Sequence, residues 1–326
     1  MIIHGASAGA GSVAHHLAAN GGRNQHLFHG AIATSVYFPI LTKPAAFEFQ
    51  YQRLIKNVGC ADARKPLQCL RAVPADTIQQ FHGPQPFPNG TAAPLFNYSP
   101  VVDGKFIQSQ LYEAYSQGRF INVPAIIGHD TNEGTYFAPA AKNDEDIQAF
   151  FLNNYPLLNN AEVKKITEIY NPETFPAVLG RTSHFDAAEA ALAESVFICP
   201  GTFIQDKLSK PFAYRSAVVD QANLAAGLGV PHTWIIAAML GVANGGTGTG
   251  YETYNREVVD KTMDYVKSFM QHLDPNVGKN ATAPVWPAWR KDHERLVLQN
   301  KPYVEREPKT QRGRCEFWWG LKNMQQ

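Results

Sequence analysis

A serine framed by glycines, Gly5-Ala6-Ser7-Ala8-Gly9, is the most chemically suggestive run in this 326-residue chain. The spacing G-x-S-x-G fits a nucleophile elbow, a strand-to-helix turn that strains the serine backbone and lifts its hydroxyl out of a sheet. Glycines on both sides give strand and helix room to approach. A helix beginning just after the serine aims its free N–H groups and positive dipole end at the reacting centre. Such a hydroxyl needs a general base, and the base needs an orienting carboxylate. Gly128 to Phe137 (GHDTNEGTYF) offers His129, Asp130 and Glu133, and Val230 to Gly241 (VPHTWIIAAMLG) offers His232. Ser7, Glu133 and His232 then run in the order nucleophile, acid, base, each after a predicted strand. Asp130 is a rival to Glu133 as orienter, and His232 competes with ten other histidines. His15 and His16 lie on the elbow helix and read as packing or surface residues, and His129 as structural. No His/Cys/Asp cluster has ligand spacing, so neither a metal nor a cofactor is expected.

The elements that must position these groups alternate between strand and helix, which argues for an α/β class. Met1 to His4 looks like the end of a strand. Ala10 to Asn20 is helix-compatible and stops at Gly21-Gly22, a plausible left-handed end. Gly30 to Ser35, Val123 to Gly128 and Pro211 to Val219 read as buried strands, and Arg295 to Leu298 as a last one. Phe47 to Val58 reads as an amphipathic helix, and Asp144 to Tyr170 as helix broken over Asn153 to Asn160. Ala187 to Ala193 is helical. Glu257 to Leu273 carries Val258, Val259, Met263, Val266, Phe269 and Met270 near helical spacing. Val73 to Ser99, rich in Pro and Gly, reads as a surface excursion, and Gly241 to Gly250 as the most flexible stretch.

Bulk composition narrows the field. Hydrophobic residues make up 44% and charged ones 17%, which suits a large-cored globular protein. With 29 basic and 28 acidic residues the net charge is +1, and no basic stripe invites nucleic acid. No apolar run of membrane-spanning length stands out, so no transmembrane segment is expected. No signal peptide is present in the sequence. Four cysteines and three sequons, at Asn89, Asn97 and Asn280, nevertheless point to an extracellular setting. Pro100 after the second sequon makes Asn97 a poorer acceptor.

The same segments resemble the type B carboxylesterase/lipase family, which includes cholinesterases and fungal extracellular lipases. GASAGAGSV resembles its nucleophile segment and LFHGAIATS the strand that follows. GCADARKPLQCLR resembles a short disulfide loop. PVVDGKF and the FINVPAIIG to DTNEG block resemble the acid segment. FICP, GVPH, APVWPAW and RCEFWW resemble the C-terminal half, so the likeness runs from Met1 to about Trp319. It implies an α/β-hydrolase fold: a mixed, mostly parallel sheet with helices on both faces, formed by residues 1–326 as one partial domain. It implies a Ser7, His232, Glu133 triad, with the Ala8 N–H as an oxyanion donor. Tyr136 and Phe137 would line the substrate pocket, and Ser35 would sit buried near the acid. It also implies disulfides Cys60–Cys69 and Cys199–Cys315, contributing roughly 3 and about 5 kcal/mol by loop entropy.

Against that pattern, the chain starts about four residues before the elbow and lacks the family's N-terminal half, including its Gly-Gly oxyanion loop. The expectation is therefore a secreted ester hydrolase with small-molecule or lipid ester substrates and impaired turnover. The rival expectations are an inactive fragment, a non-catalytic cholinesterase-like binding domain, and a peptidase or thioesterase with the same triad. Ala6 and Ile235 stand where many relatives carry Glu, which argues against a cationic substrate.

Overall fold

The computed structural model describes residues 1–38, 43–175, 179–242, 249–290 and 292–321. Its six strands form one sheet in sequence order: β1 (Ile2–Ala6), β2 (Gly30–Thr34), β3 (Ala125–Asp130), β4 (Pro211–Ser216), β5 (Glu294–Leu298) and β6 (Tyr303–Arg306). β1 to β5 are parallel, and β6 returns antiparallel to β5. Parallel neighbours require crossovers, and helices supply them.

Strand alternation sorts the core into two faces. Ala31, Ala33, Ala125 and Ile127 pack with the elbow helix Ala8–Gly22 and the helices Leu111–Ser116 and Cys199–Lys207. Ile32, Ile126, Phe212, Tyr214, Leu296 and Leu298 face the helices Ile236–Leu240 and Arg256–His272. A third cluster, beyond the sheet, joins Asp144–Asn154, Asn160–Ile169, Ser183–Ala193 and Lys309–Gly320 around Phe151, Tyr170 and Trp318. Cys199 and Cys315 form a disulfide there, and Cys60 pairs with Cys69.

Several elements differ from the sequence reading. β6 was not foreseen: YVER is short and mostly exposed, and only its hydrogen bonds to β5 make it a strand. His129 and Asp130 lie past the strand read to end at Gly128 but complete β3, opposite Arg215 and Ser216. Met263 and Met270 face solvent at 39% and 59% exposure, and Tyr265 fills the stripe instead. The helical angles of the elbow helix end before Ala19, and Asn20, Gly21 and Gly22 turn left-handed. Helix Ser183–Lys207 is apolar and long enough to cross a membrane by composition alone, but 94% of its most apolar window is buried in the core. Of the stretch expected to be most flexible, residues 243–248 lie outside the described residues.

Candidate active site

The elbow forms as its sequence dictates. β1 delivers Ser7 at φ 57° and ψ −122°, a left-handed backbone rare for a residue with a side chain. Its N–H is tied to Thr34 O at 3.0 Å, and its carbonyl accepts from Gly11 N at 3.0 Å. A Cβ on Gly5 would lie 2.1 Å from Gly9 O, so only glycine lets strand and helix pass here. Gly9 differs from expectation: a Cβ there would meet nothing within 4 Å, and its part is to offer the carbonyl that Gly5 clears. Ala8 opens the helix, where first-turn N–H groups have no helical acceptor.

The loops that follow β3 and β4 converge beyond the carboxyl ends of those strands, where Asn132 bridges Pro231. Glu133 is fully buried, and its Oε2 accepts a hydrogen bond from His232 Nδ1. Its Oε1 accepts from Asp130 N at 2.6 Å. The bond at Nδ1 fixes the imidazole tautomer and leaves Nε2, buried and unbonded, as the basic nitrogen. Phe197 and Phe137 pack on the imidazole, with ring centroids at 4.4 and 5.2 Å. Phe197 also joins Ser7, Ala8, Ser12, His15, Tyr37 and Phe96 around a cavity of about 290 Å³. The structure thus brings Glu133 and His232 into contact and links them to Ser7 through one shared aromatic wall.

The remaining predicted residues fall out differently. Tyr136 is 53% exposed, whereas Phe137 sits in a second, tighter cleft with Phe96 and Phe197. Ser35 is fully buried at the end of β2, its N–H bonded to Gly128 O at 2.7 Å. His129 is buried against Arg295, and burial followed by that cation pushes its pKa down to about 3, so it stays neutral. His15 is buried in the wall of the Ser7 cavity, and burial and the neighbouring His16 push its pKa down to about 4. Asn97 lines that cavity too and donates to His82 O and Gly83 O, while Asn89 is exposed and Asn280 caps its own turn through Thr282.

Two positioning groups were missed. Asn132 N–H donates to Val230 O at 2.9 Å, and its Oδ1 accepts from Val230 N at 3.0 Å, lacing the acid loop to the histidine loop. Gly229, at φ +63°, allows this because a Cβ would lie 2.2 Å from Asn132 Oδ1. Glu189 accepts from Gly134 N at 2.9 Å and so pins the residue after the acid. An Asn beside a Glu, and a Glu on a buried helix, carry no sequence signal for such contacts, because the partners lie far along the chain.

A family model described as the carboxylesterase family matches residues 1–318. Lipase 2 of Geotrichum candidum is 27% identical over 304 residues, covering 86% of this chain and 51% of its own. Lipase 4 of Diutina rugosa is 30% identical over 197 residues, 57% of this chain and 35% of its own. The crystal structure of Aspergillus niger EstA matches with a TM-score of 0.94 and 37% identity, over 99% of this chain and 64% of that one. The chain spans about half the length of the Geotrichum relatives it matches. The mixed, mostly parallel sheet with helices is the α/β-hydrolase fold.

Proposed function

The chain belongs to the carboxylesterase family, and from that premise we propose that it hydrolyses carboxylic esters through Ser7, His232 and Glu133. The observation that carries this reading is the buried Glu133–His232 bond with Nε2 left free, beside a cavity whose wall holds Ser7 on its strained turn. Ser7 Oγ attacks the ester carbonyl while His232 Nε2 takes its proton. The imidazolium, held by Glu133, then protonates the leaving alcohol. Water attacks the acyl-enzyme by the same route and regenerates Ser7. The Ala8 N–H donates to the oxyanion. Loss of one such oxyanion donor costs about 10²–10³ in rate.

The cavity walls of Tyr37, Phe96 and Phe197 suit an apolar acyl group, with Phe137 behind the base. Ile235 is fully buried among apolar neighbours and Ala6 carries no charge, so neither supplies an anion for a cationic substrate. The two disulfides, with sequons at Asn89, Asn97 and Asn280, favour a secreted glycoprotein. The competing reading is an inactive fragment or a binding domain of the same fold.

Hydrolysis of a short-chain p-nitrophenyl ester by the purified chain, beside Ser7→Ala, tests the proposal. Activity abolished by Ser7→Ala is the expected result. Activity that survives the substitution overturns the assignment of the nucleophile. A folded, soluble chain without activity favours the inactive reading.

A further inference from the structure

Asp130 lies directly behind the triad acid and has no role in the mechanism above. It is fully buried, and neither carboxyl oxygen has a hydrogen-bond partner. Its backbone, by contrast, is fully engaged: the N–H donates to Glu133 Oε1 at 2.6 Å, and the carbonyl lies 2.7 Å from His129 Nδ1. Strand alternation puts its side chain on the Ile126 face of β3, with Tyr214 and Ser216 of β4 beside it. The nearby permanent cations, Arg215 and Arg295, belong to the opposite face, where Glu305 clasps both. Charged or titratable groups that act with Asp130 include Glu133, Tyr136, Tyr214 and Tyr251, and the His232 imidazole reaches the same pocket through Glu133. The Ser216 side chain and the backbone amides of Trp234 and Ile235 complete its surroundings.

Two buried carboxyls side by side, with neither Arg215 nor Arg295 on their face of the sheet, do not both readily hold charge near neutral pH. Of the two, Glu133 receives the His232 Nδ1–H and a well-formed backbone N–H bond, whereas Asp130 has no well-formed bond and is only approached by the Ser216 side chain and the Trp234 and Ile235 N–H groups. We propose that Asp130 is a positioning residue that carries a proton at neutral pH, so that the single negative charge of the pocket stays on Glu133 beside His232. Burial, and after it the charge of Glu133, hold the Asp130 carboxyl well above the usual carboxylate range. The proposal rests on Glu133 being the acid of the triad. Loss of the Asp130 proton at alkaline pH would put a second anion behind Glu133 and undo that arrangement.

The test is infrared spectroscopy of the whole chain with its aspartates carbon-13-labelled, alone and as Asp130→Asn. A protonated-carboxyl stretch at pH 7 that shifts with aspartate labelling and is missing from the variant is the expected result. Labelling aspartate alone matters because Glu189, which burial pushes up to about 8, gives a second such band from glutamate. Absence of the labelled band at pH 7, or its survival in Asp130→Asn, overturns the proposal. Asp130→Ser replaces the amide if that variant does not fold. In the active chain, kcat/KM should fall at alkaline pH as the band disappears, with the limb moved to higher pH in Asp130→Asn. Coincident limbs in the two proteins overturn the charge-keeping role. The infrared band does not depend on turnover, so failure of Ser7→Ala to abolish activity leaves this result readable on its own.

Discussion

The two halves of the candidate site are built by opposite means. The nucleophile side is local: five residues at the end of an edge strand, a backbone twisted to φ 57°, and one glycine contact that admits no side chain. Its side chain has room, and Ser7 is only half-buried. The acid–base side is assembled from segments 99 residues apart, wholly buried, and held by hydrogen bonds between two loops. The elbow stores its precision in backbone sterics. The acid–base pair stores it in buried polar contacts, which are costly to leave unpaired. A site of this kind therefore has one half that tolerates exposure and another that depends on keeping water and stray charge out.

Substitutions on each side sharpen that contrast. The largest expected effect is Glu133→Gln, which keeps the shape but removes the charge that orients His232. By analogy with other triads, kcat should fall about 10⁴-fold. A loss below tenfold would mean that the buried pair is not the working arrangement.

Gly5→Ala should act on folding. Its Cβ would strike the Gly9 carbonyl at 2.1 Å, and overpacking of this sort costs about 1–3 kcal/mol, occasionally more. Denaturant midpoints of the two proteins measure it. An unchanged midpoint would show that the elbow is not sterically fixed.

Per pH unit, the smallest effect is on pH dependence. Burial, with the charges of Asp186, Glu133 and Glu194 behind it, raises Glu189 to about 8 against the Gly134 hydrogen bond. Between its ordinary value and about 8 the folded chain holds a proton that the unfolded chain has released. Stability therefore declines as pH rises through that window, by at most about 1.4 kcal/mol per pH unit. Glu189→Gln should flatten the decline, raising the thermal midpoint at pH 9 and changing it little at pH 5. Parallel curves would assign the titration to another group. Glu305 runs the other way. Burial raises it, but hydrogen bonds and charge from Arg215 and Arg295 outweigh that and bring it down to about 2. Its contribution is present at neutral pH and is lost only as pH falls toward that value.

Much of this was legible in the chain. Gly5-Ala6-Ser7-Ala8-Gly9 announces its turn because its tightest contacts, Gly5 against the Gly9 carbonyl and Gly11 N–H on Ser7 O, lie within a few residues, although Thr34 of β2 holds the Ser7 N–H from farther off. Buried strands such as Ala125–Asp130 announce themselves by continuous apolar sequence, although their polar last residues, His129 and Asp130, hid where β3 ends. Tyr303–Arg306 could not be read, because an exposed edge strand is defined by its neighbour's hydrogen bonds rather than by its own pattern.

The sequence by itself determined the elbow turn and the buried strands, since local sterics and continuous apolar runs act over short range. Only the tertiary structure decided that Glu133 rather than Asp130 meets His232, that Asn132 laces the two loops, and that the arginines lie across the sheet from the acid. The reason is that burial and charge separation depend on which distant segments are brought together, and a single residue's type does not record its future neighbours.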